Sequence, residues 1–271
     1  YGEINPDPIL SCQYDESVRR GVDVYEGGAK YNNTSLYFYC IASLVDSICA
    51  VKKLVFEEKI VSFNKLCEIL QDDWVGYEEL RLKAKACEKY GNGSVIADRV
   101  TVEFAEYCSS LLLNRPNGRG GVYKPACFTI DHYVHIGAKT LATPDGRKLG
   151  GNIAHGVTPH SGSMTEGITA AINSCCRMPF DKFAGGASTM WDLDCEWVNE
   201  ELVEALLTTF IQNGGQIFQG NTTALSDLIA AREHPEDYGH LVVRVGGYSA
   251  RFVGLSASLQ EDIITRIRHK S

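Results

Sequence analysis

The chain has 271 residues, 44% of them hydrophobic and 22% charged, which is enough for one large domain or two modest ones. Its 26 basic residues against 34 acidic ones leave a net charge of −8, which excludes a basic nucleic-acid-binding face as the main function. The most apolar stretch, residues 36–51, is interrupted by Asp46 and stopped by Lys52, so it is too short to span a membrane.

Ten cysteines are spread along the chain without regular spacing and without a C-x-x-C pair. We expect no signal peptide before them, and several fall in apolar helical runs, in which a free cysteine packs as a small hydrophobic side chain. We therefore expect reduced thiols in a reducing or anaerobic cytoplasm rather than a disulfide framework.

The predicted elements begin after about thirty polar, turn-rich residues. A long helix comes first, because apolar residues recur at helical spacing. These residues are Ile41, Leu44, Val45, Ile48 and Val55. Two more helices are expected over about 76–90 and 97–113, on either side of the breaker Gly91-Asn92-Gly93. Residues 115–167 are rich in glycine and turn dipeptides and predict loops with short extended pieces.

The last seventy residues carry the clearest pattern. Asn199 is placed to cap a helix, and a strand over 216–219 and a helix over 226–232 follow. The apolar run Leu241–Val245 predicts a strand buried on both faces, and the final helix offers a capping box at Ser258–Glu261. Four basic residues suit the negative end of that helix: Arg266, Arg268, His269 and Lys270. The alternation of helices and strands predicts parallel pairing in an α/β sheet or barrel.

Common catalytic patterns are weak or absent. The spacing of His132 and His135 is frequent by chance, and no carboxylate stands at a metalloenzyme spacing from them, or from His155 and His160. The vicinal pair Cys175-Cys176 is more often two packing positions than a redox centre. Neither a phosphate-binding glycine loop nor a G-x-S-x-G turn occurs, so nucleotide and hydrolase functions are disfavoured.

A more specific pattern is the glycine loop Arg244–Phe252, R-V-G-G-Y-S-A-R-F, near the end of the chain. Any Gly-Gly pair fits a tight turn between a strand and a helix, where glycine is needed for positive φ. The full string resembles the radical loop of the glycyl radical enzymes, the superfamily of pyruvate formate-lyase and its relatives. That resemblance implies that Gly247 carries a backbone radical, with Arg244 and Tyr248 holding the loop.

Three further segments, in the same order along the chain, are similar to motifs of that superfamily. They are Gly27-Gly28-Ala29-Lys30-Tyr31-Asn32, Thr143-Pro144-Asp145-Gly146-Arg147, and Gly156-Val157-Thr158-Pro159 with Gly162. The chain departs from the usual pattern at Ser163, Met164 and Ile168, where the superfamily carries an Arg-Asp pair and a proline. These departures concern the loop after the third motif and its contacts with substrate.

The resemblance implies an α/β fold in which this chain is the C-terminal half of a ten-stranded α/β barrel with surrounding helices. Residues 1–271 would form this C-terminal part of the barrel, with 199–271 as the glycyl radical domain. A radical S-adenosylmethionine activase with an iron–sulfur cluster would generate the radical, while the chain itself would bind no metal. The superfamily's catalytic cysteine motif, G-C-x-E, does not occur in these residues. The cysteine is therefore expected on a missing N-terminal part or on a separate subunit.

The resemblance also bears on the reaction and the partners. The segments Phe218–Thr223 and Arg244–Phe252 look most like the arylacetate decarboxylase branch, including hydroxyphenylacetate decarboxylase. The alternatives are a lyase or dehydratase that breaks a C–O or C–N bond, and a replacement radical subunit without activity of its own. In each case we expect a small-molecule substrate, an oligomer in the cytoplasm, and neither nucleic acid nor membrane as partner.

Overall fold

The computed structural model describes residues 3–196 and 198–268 as a mixed α/β structure. Within those ranges we number the elements in chain order. The helices are α1 (Pro8–Ser11), α2 (Asp15–Arg20), α3 (Ile41–Val51), α4 (Phe63–Gln71), α5 (Glu78–Lys85), α6 (Val95–Leu112), α7 (His132–Gly137), α8 (Gly167–Cys175), α9 (Glu200–Gln212), α10 (Leu225–Glu233) and α11 (Ala257–Arg268). The strands are β1 (Thr34–Tyr37), β2 (Tyr123–Ala126), β3 (Ser188–Leu193), β4 (Ile217–Thr222), β5 (Val242–Arg244) and β6 (Ser249–Arg251). No helix in the described part of the chain is long and apolar enough to cross a bilayer.

Strands β1 to β4 follow one another in parallel. Strand β1 pairs with β2, and β3 pairs with β4, both in parallel register. A parallel bridge between Cys127 and Ala187 joins the end of β2 to the start of β3. All six residues of β3 are buried, as expected for a strand covered on both faces. The predicted parallel pairing of an α/β fold is confirmed for these four strands.

The glycine loop lies in a hairpin, which corrects the prediction for Leu241–Val245. Strand β5 pairs antiparallel with β6, and Val242 is 56% exposed instead of buried. The cause is the turn itself, because the Val245 amide donates to the Tyr248 carbonyl at 2.9 Å and reverses the chain. Such a reversal gives an antiparallel ribbon, in which one face remains open to solvent.

The start of the last helix also differs from the prediction. Helix α11 begins at Ala257, and the Leu259 amide donates to the Ser256 hydroxyl at 3.4 Å, so Ser256 takes the capping position. Ser258 therefore lies inside the helix, where it cannot start a capping box, and Glu261 instead pairs with Arg232. The preference for Ser258 was wrong by two residues, because both serines precede the same apolar pattern.

Of the four basic residues predicted to suit the end of α11, Arg266 is the one whose side chain the structure describes. Arg266 is buried and lies between two carboxylates, so it serves the interior instead of the helix end. The side chain of Arg268 and all of His269 and Lys270 lie outside the described residues.

One apolar cluster surrounds Trp191 and Phe210, and another joins α10, α11 and the hairpin through Leu228, Val243 and Ile263. A smaller group beneath the turn includes Val245. The turn is thus fixed from below by burial of its apolar neighbours, while its tip stays accessible.

A buried carboxyl in α3 makes the stability of the chain depend on pH. Asp46 is fully buried, and burial raises its pKa to about 7, although Lys89, the Tyr90 amide and Ser163 oppose the shift and Asp145 adds to it. Since the folded pKa lies above the ordinary value, the acid form suits the fold. Its contribution is present at low pH and is lost as pH rises toward 7.

We expect Asp46→Asn to remove this dependence, since an amide keeps the acceptor for the Tyr90 amide at 2.8 Å and carries no charge. The variant should gain on the parent protein by at most about 1.4 kcal/mol per pH unit between pH 4 and 7. Urea unfolding at a series of pH values measures this difference. Parallel curves for the two proteins would contradict a titrating Asp46.

Candidate functional site

The site is built around Gly247 at the tip of the β5–β6 hairpin. Its φ is +84°, in the left-handed region that a residue with a Cβ enters only at a cost. No atom beyond its chain neighbours lies within 4 Å of the position that a Cβ would take. The requirement for glycine at 247 is therefore conformational, and the space around its Cα is open.

Gly246 is glycine for a different reason. A Cβ at this position would lie 2.6 Å from the Ile130 carbonyl oxygen and would overlap the His155 ring. The backbone of the turn thus rests directly on these two residues. Real Cβ atoms do not approach backbone oxygen this closely, so the turn would have to move if Gly246 carried a side chain.

His155 supports the turn as a neutral ring. It is buried, and burial, with the nearby charge of Arg266, lowers its pKa to about 4. Its Nε2 lies 3.0 Å from the Ile130 carbonyl oxygen, which assigns the proton to Nε2. The ring also packs edge-on against Tyr133, with ring centroids 4.8 Å apart.

Two polar side chains of β4 hold the β5 arm and the tip of the turn. The Gln219 Oε1 accepts from the Gly247 amide at 2.6 Å and from the Arg244 Nε at 3.0 Å. Asn221 binds the backbone of Arg244 twice: its Oδ1 accepts from the amide at 2.6 Å and its Nδ2 donates to the carbonyl at 2.8 Å. Because residues i and i+2 of a strand point to the same side, one face of β4 holds both this arm and the tip.

The sequence pattern does not point to Gln219 or Asn221, and it offers His155 only as a weak candidate metal ligand. The segment 218–223 stands out for its resemblance alone, yet Gln219 and Asn221 alternate as buried polar residues, at 8% and 7% exposure. Two amides at i and i+2 in an apolar setting need partners, and that signal could have marked them. His155 offered no comparable signal.

The predicted loop residues Arg244 and Tyr248 both lie at the turn. Arg244 is half-buried and contacts Gln219 through its guanidinium, while Tyr248 contributes its backbone carbonyl to the turn and leaves its ring 38% exposed. Burial, and then the negative charge of Asp131, raises the pKa of the Tyr248 phenol. Their role in holding the loop stays a prediction.

A cavity of about 410 Å³ opens beside Gly247. Phe128, Ile130 and Ile217 give it an apolar wall, and Ser188 adds a hydroxyl. The open side of the Gly247 Cα, together with this cavity, leaves room for another group to approach. A hydrogen atom can be exchanged only over such a direct contact.

The third glycine motif lies beside the cavity, whereas the first forms a turn of its own. In the third motif, the Val157 amide donates to the Ser188 carbonyl at 3.0 Å and the Gly156 amide to the Thr129 hydroxyl at 3.2 Å, so this segment borders the cavity. In the first motif, Asn32 closes its own turn through the Gly27 and Ala29 carbonyls. No group of three metal-binding side chains occurs in residues 3–196 and 198–268.

Beneath the site lies a buried charge cluster. Asn221 donates to Asp192 Oδ1 at 2.7 Å, and the Arg266 Nε lies 3.4 Å from Asp192 Oδ2 and 3.3 Å from Asp262 Oδ2. Asp262 in turn accepts from the Tyr133 hydroxyl at 2.5 Å. The strand that holds Gly247 is thus tied to α11 through Asp192.

Comparisons with known proteins agree with this geometry. A sequence model of the pyruvate formate lyase-like family matches residues 1–137, and one of the glycine radical domain matches residues 153–253. The chain belongs to the pyruvate formate lyase-like family of glycyl radical enzymes. The glycine radical match includes the hairpin with Gly247, and the family resemblance predicted from the four motifs is confirmed.

Individual members of this family are similar to the chain in sequence and in fold. The chain is 36% identical over 277 residues to the probable dehydratase YbiW of Escherichia coli K12, covering 97% of this chain and 34% of that protein. It superposes on a Roseburia inulinivorans structure described for 1,2-propanediol dehydration, with a TM-score of 0.91 and 35% identity. The match covers 98% of this chain and 35% of the other. A glycyl radical enzyme from Archaeoglobus fulgidus gives a TM-score of 0.92 at 34% identity, with 98% and 34% covered.

The chain spans about a third of the length of these family members. Over that third its fold follows theirs, which confirms the α/β barrel type predicted for it.

Proposed function

We propose that this chain is the radical-bearing part of a glycyl radical lyase that eliminates water from a small hydroxylated substrate, with Gly247 as the radical residue. The observation that carries the proposal is the position of Gly247: an open Cα in a left-handed turn, within the segment that matches the glycine radical domain. Its relatives include enzymes named for dehydration.

Glycine suits this task for a chemical reason. Loss of one hydrogen atom from Cα leaves an unpaired electron that spreads onto the amide nitrogen and the carbonyl, which requires a nearly planar centre. A radical S-adenosylmethionine activase with an iron–sulfur cluster would remove this hydrogen. In turnover Gly247 would regain a hydrogen from a cysteine thiol, so that one S–H bond breaks and one Cα–H bond forms, and would return it at the end.

The cysteine in this scheme belongs to another part of the whole enzyme. None of the ten cysteines of this chain stands in the C-x-E pattern. The cavity of about 410 Å³ beside Gly247 is where we place the approach of the segment that carries it. Arg244 and Tyr248 hold the turn in this proposal.

Elimination is favoured over decarboxylation. The arylacetate decarboxylase branch predicted from residues 218–223 and 244–252 is not confirmed, since two of the relatives reported above are named for dehydration. The predicted alternative, cleavage of a C–O bond, fits these relatives better. The substrate class that follows is a small diol or a similar hydroxylated compound.

Electron paramagnetic resonance tests the radical directly. We expect a glycine-centred doublet after the chain is incubated under anoxia with its activase and S-adenosylmethionine. The doublet arises from the hydrogen left on Cα, so it should collapse to a single line when the chain is labelled with [2-²H₂]glycine. If the doublet is absent with every partner, the assignment of the radical to Gly247 is refuted.

Turnover separates the remaining alternatives. If the chain is one part of an enzyme, we expect the activated chain alone to show the doublet but to form no product. Activity should appear once a cysteine-bearing part is added. With 1,2-propanediol as probe the expected product is an aldehyde and water. Release of CO₂ from an arylacetate, with no reaction on the diol, would overturn elimination in favour of decarboxylation.

A further inference from the structure

We infer that Gln219 is a positioning residue for the Gly247 radical, because its Oε1 binds the amide of the radical residue itself. The inference rests on the proposed function of Gly247. In the described structure the Gly247 amide donates to this oxygen at 2.6 Å, and the Arg244 Nε donates to it at 3.0 Å. The amide nitrogen held in this way is one of the two groups over which the unpaired electron spreads.

The side chain of Gln219 is itself held in place. Gln219 lies in the middle of β4, directly opposite Met190 of the fully buried strand β3, and is 8% exposed. Two residues further along β4, Asn221 binds both backbone groups of Arg244. The paired strand β4 therefore sets the position of the oxygen that the turn binds.

The two donors use the full capacity of the oxygen. A side-chain amide oxygen has two lone pairs, and here the Gly247 amide takes one and the Arg244 guanidinium the other. The positive charge on Arg244 makes its bond charge-assisted and so fixes the oxygen more strongly. Arg244 thus acts on Gly247 through Gln219.

The consequence for the radical concerns the plane of the peptide. Full delocalisation needs the amide and the carbonyl to be coplanar around Cα, whereas at a φ of +84° the Gly247 amide stands nearly perpendicular to the N–Cα–C plane. Formation of the radical therefore requires rotation about the N–Cα bond, and the short hydrogen bond from the amide to Gln219 controls how far that rotation goes. No other side chain of the described residues is found to accept from this amide.

The test begins before any radical is made. Gln219→Met keeps the length of the side chain but removes the acceptor, and Gln219→Glu keeps an acceptor beside Arg244. In a chain labelled with [¹⁵N]glycine, the amide of Gly247 should exchange with solvent about tenfold faster in Gln219→Met, the loss expected for one hydrogen bond. Gln219→Glu should restore slow exchange.

Gln216 supplies a matched control. It lies just before the same strand, and its Oε1 likewise accepts a backbone amide, from Ala187 at 2.5 Å. Gln216→Met should therefore disturb the β3 side and leave exchange at Gly247 unchanged. If Gln219→Met does not fold, Gln219→Asn withdraws the acceptor by one carbon and gives the same comparison.

The second measurement follows activation of the whole enzyme under anoxia. We expect Gln219→Met to shift the ¹⁵N coupling of the glycine doublet, because the amide is then free to rotate, and Gln219→Glu and Gln216→Met to resemble the parent enzyme. Unchanged exchange and an unchanged coupling in Gln219→Met would overturn the inference. Absence of the doublet in the parent enzyme would instead refute Gly247 as the radical site. Amide exchange is measured without a radical, so that result would leave the exchange data unaffected and the two failures can be told apart.

Discussion

Gly247→Ala will abolish the glycine-centred signal and all radical-dependent turnover while leaving most of the fold intact. The methyl group fits the open space at this position, so the structural cost is that of a left-handed φ, about 1–2 kcal/mol. The chemical cost is larger, because a Cβ crowds the planar centre that the radical needs. Electron paramagnetic resonance and urea unfolding of the same preparation measure the two effects separately.

Two neighbouring glycines serve as controls for Gly247→Ala. Gly254 has room for a Cβ and no positive φ, so Gly254→Ala should keep both the signal and the stability. Gly246→Ala should displace the turn from His155 and Ile130, and should lower stability more than Gly247→Ala does. A full doublet in Gly247→Ala would place the radical on another residue.

The sequence predicted those elements whose signals are local. Helix α9 begins as expected, with the Leu202 amide donating to the Asn199 side chain at 2.8 Å, because a cap and the pattern after it lie within one turn. The pairing of β5 could not be read in the same way. An apolar run fits either a parallel strand or one arm of a hairpin, and only the hydrogen bond between Val245 and Tyr248 selects the hairpin.

The candidate site was predictable for the loop and not for its supports. Gly247 and Arg244 stand in one short string that resembles a known motif, whereas the groups that hold them come from elsewhere in the chain. Gln219 lies 28 residues before Gly247, and His155 reaches the turn from a loop. Such contacts depend on how the strands assemble, which periodicity does not specify.

Polar side chains also connect the radical turn to the last helix, α11. Asn221 links Arg244 to Asp192, and Asp192 lies beside Arg266 of α11. Strand β4 is therefore tied through Asn221 to the ion pair between Asp192 of β3 and Arg266 of α11. Damage to this ion pair should reach the radical turn through Asn221.

Arg266→Met is expected to cost about 3–5 kcal/mol of stability, since it leaves two buried carboxylates without their cation. Asp192 and Asp262 are both nearly inaccessible to solvent, and the positive charge between them is what offsets their burial. The pKa of Arg266 is raised, with burial opposing and the charges of Asp192 and Asp262 causing the rise, so the guanidinium stays charged. Urea unfolding measures the loss.

An exposed pair between α10 and α11 gives the matched control. Arg232 of α10 pairs with Glu261 of α11 at the surface, so Arg232→Met removes an exposed arginine that contacts α11 and should cost no more than about 1 kcal/mol. Adding Asp262→Asn to Arg266→Met should recover part of the loss, because one of the two unpaired charges disappears while an acceptor for Tyr133 remains. Equal losses for the two arginine variants would mean that packing of the side chain, and not its charge, joins α11 to the strand that holds the turn.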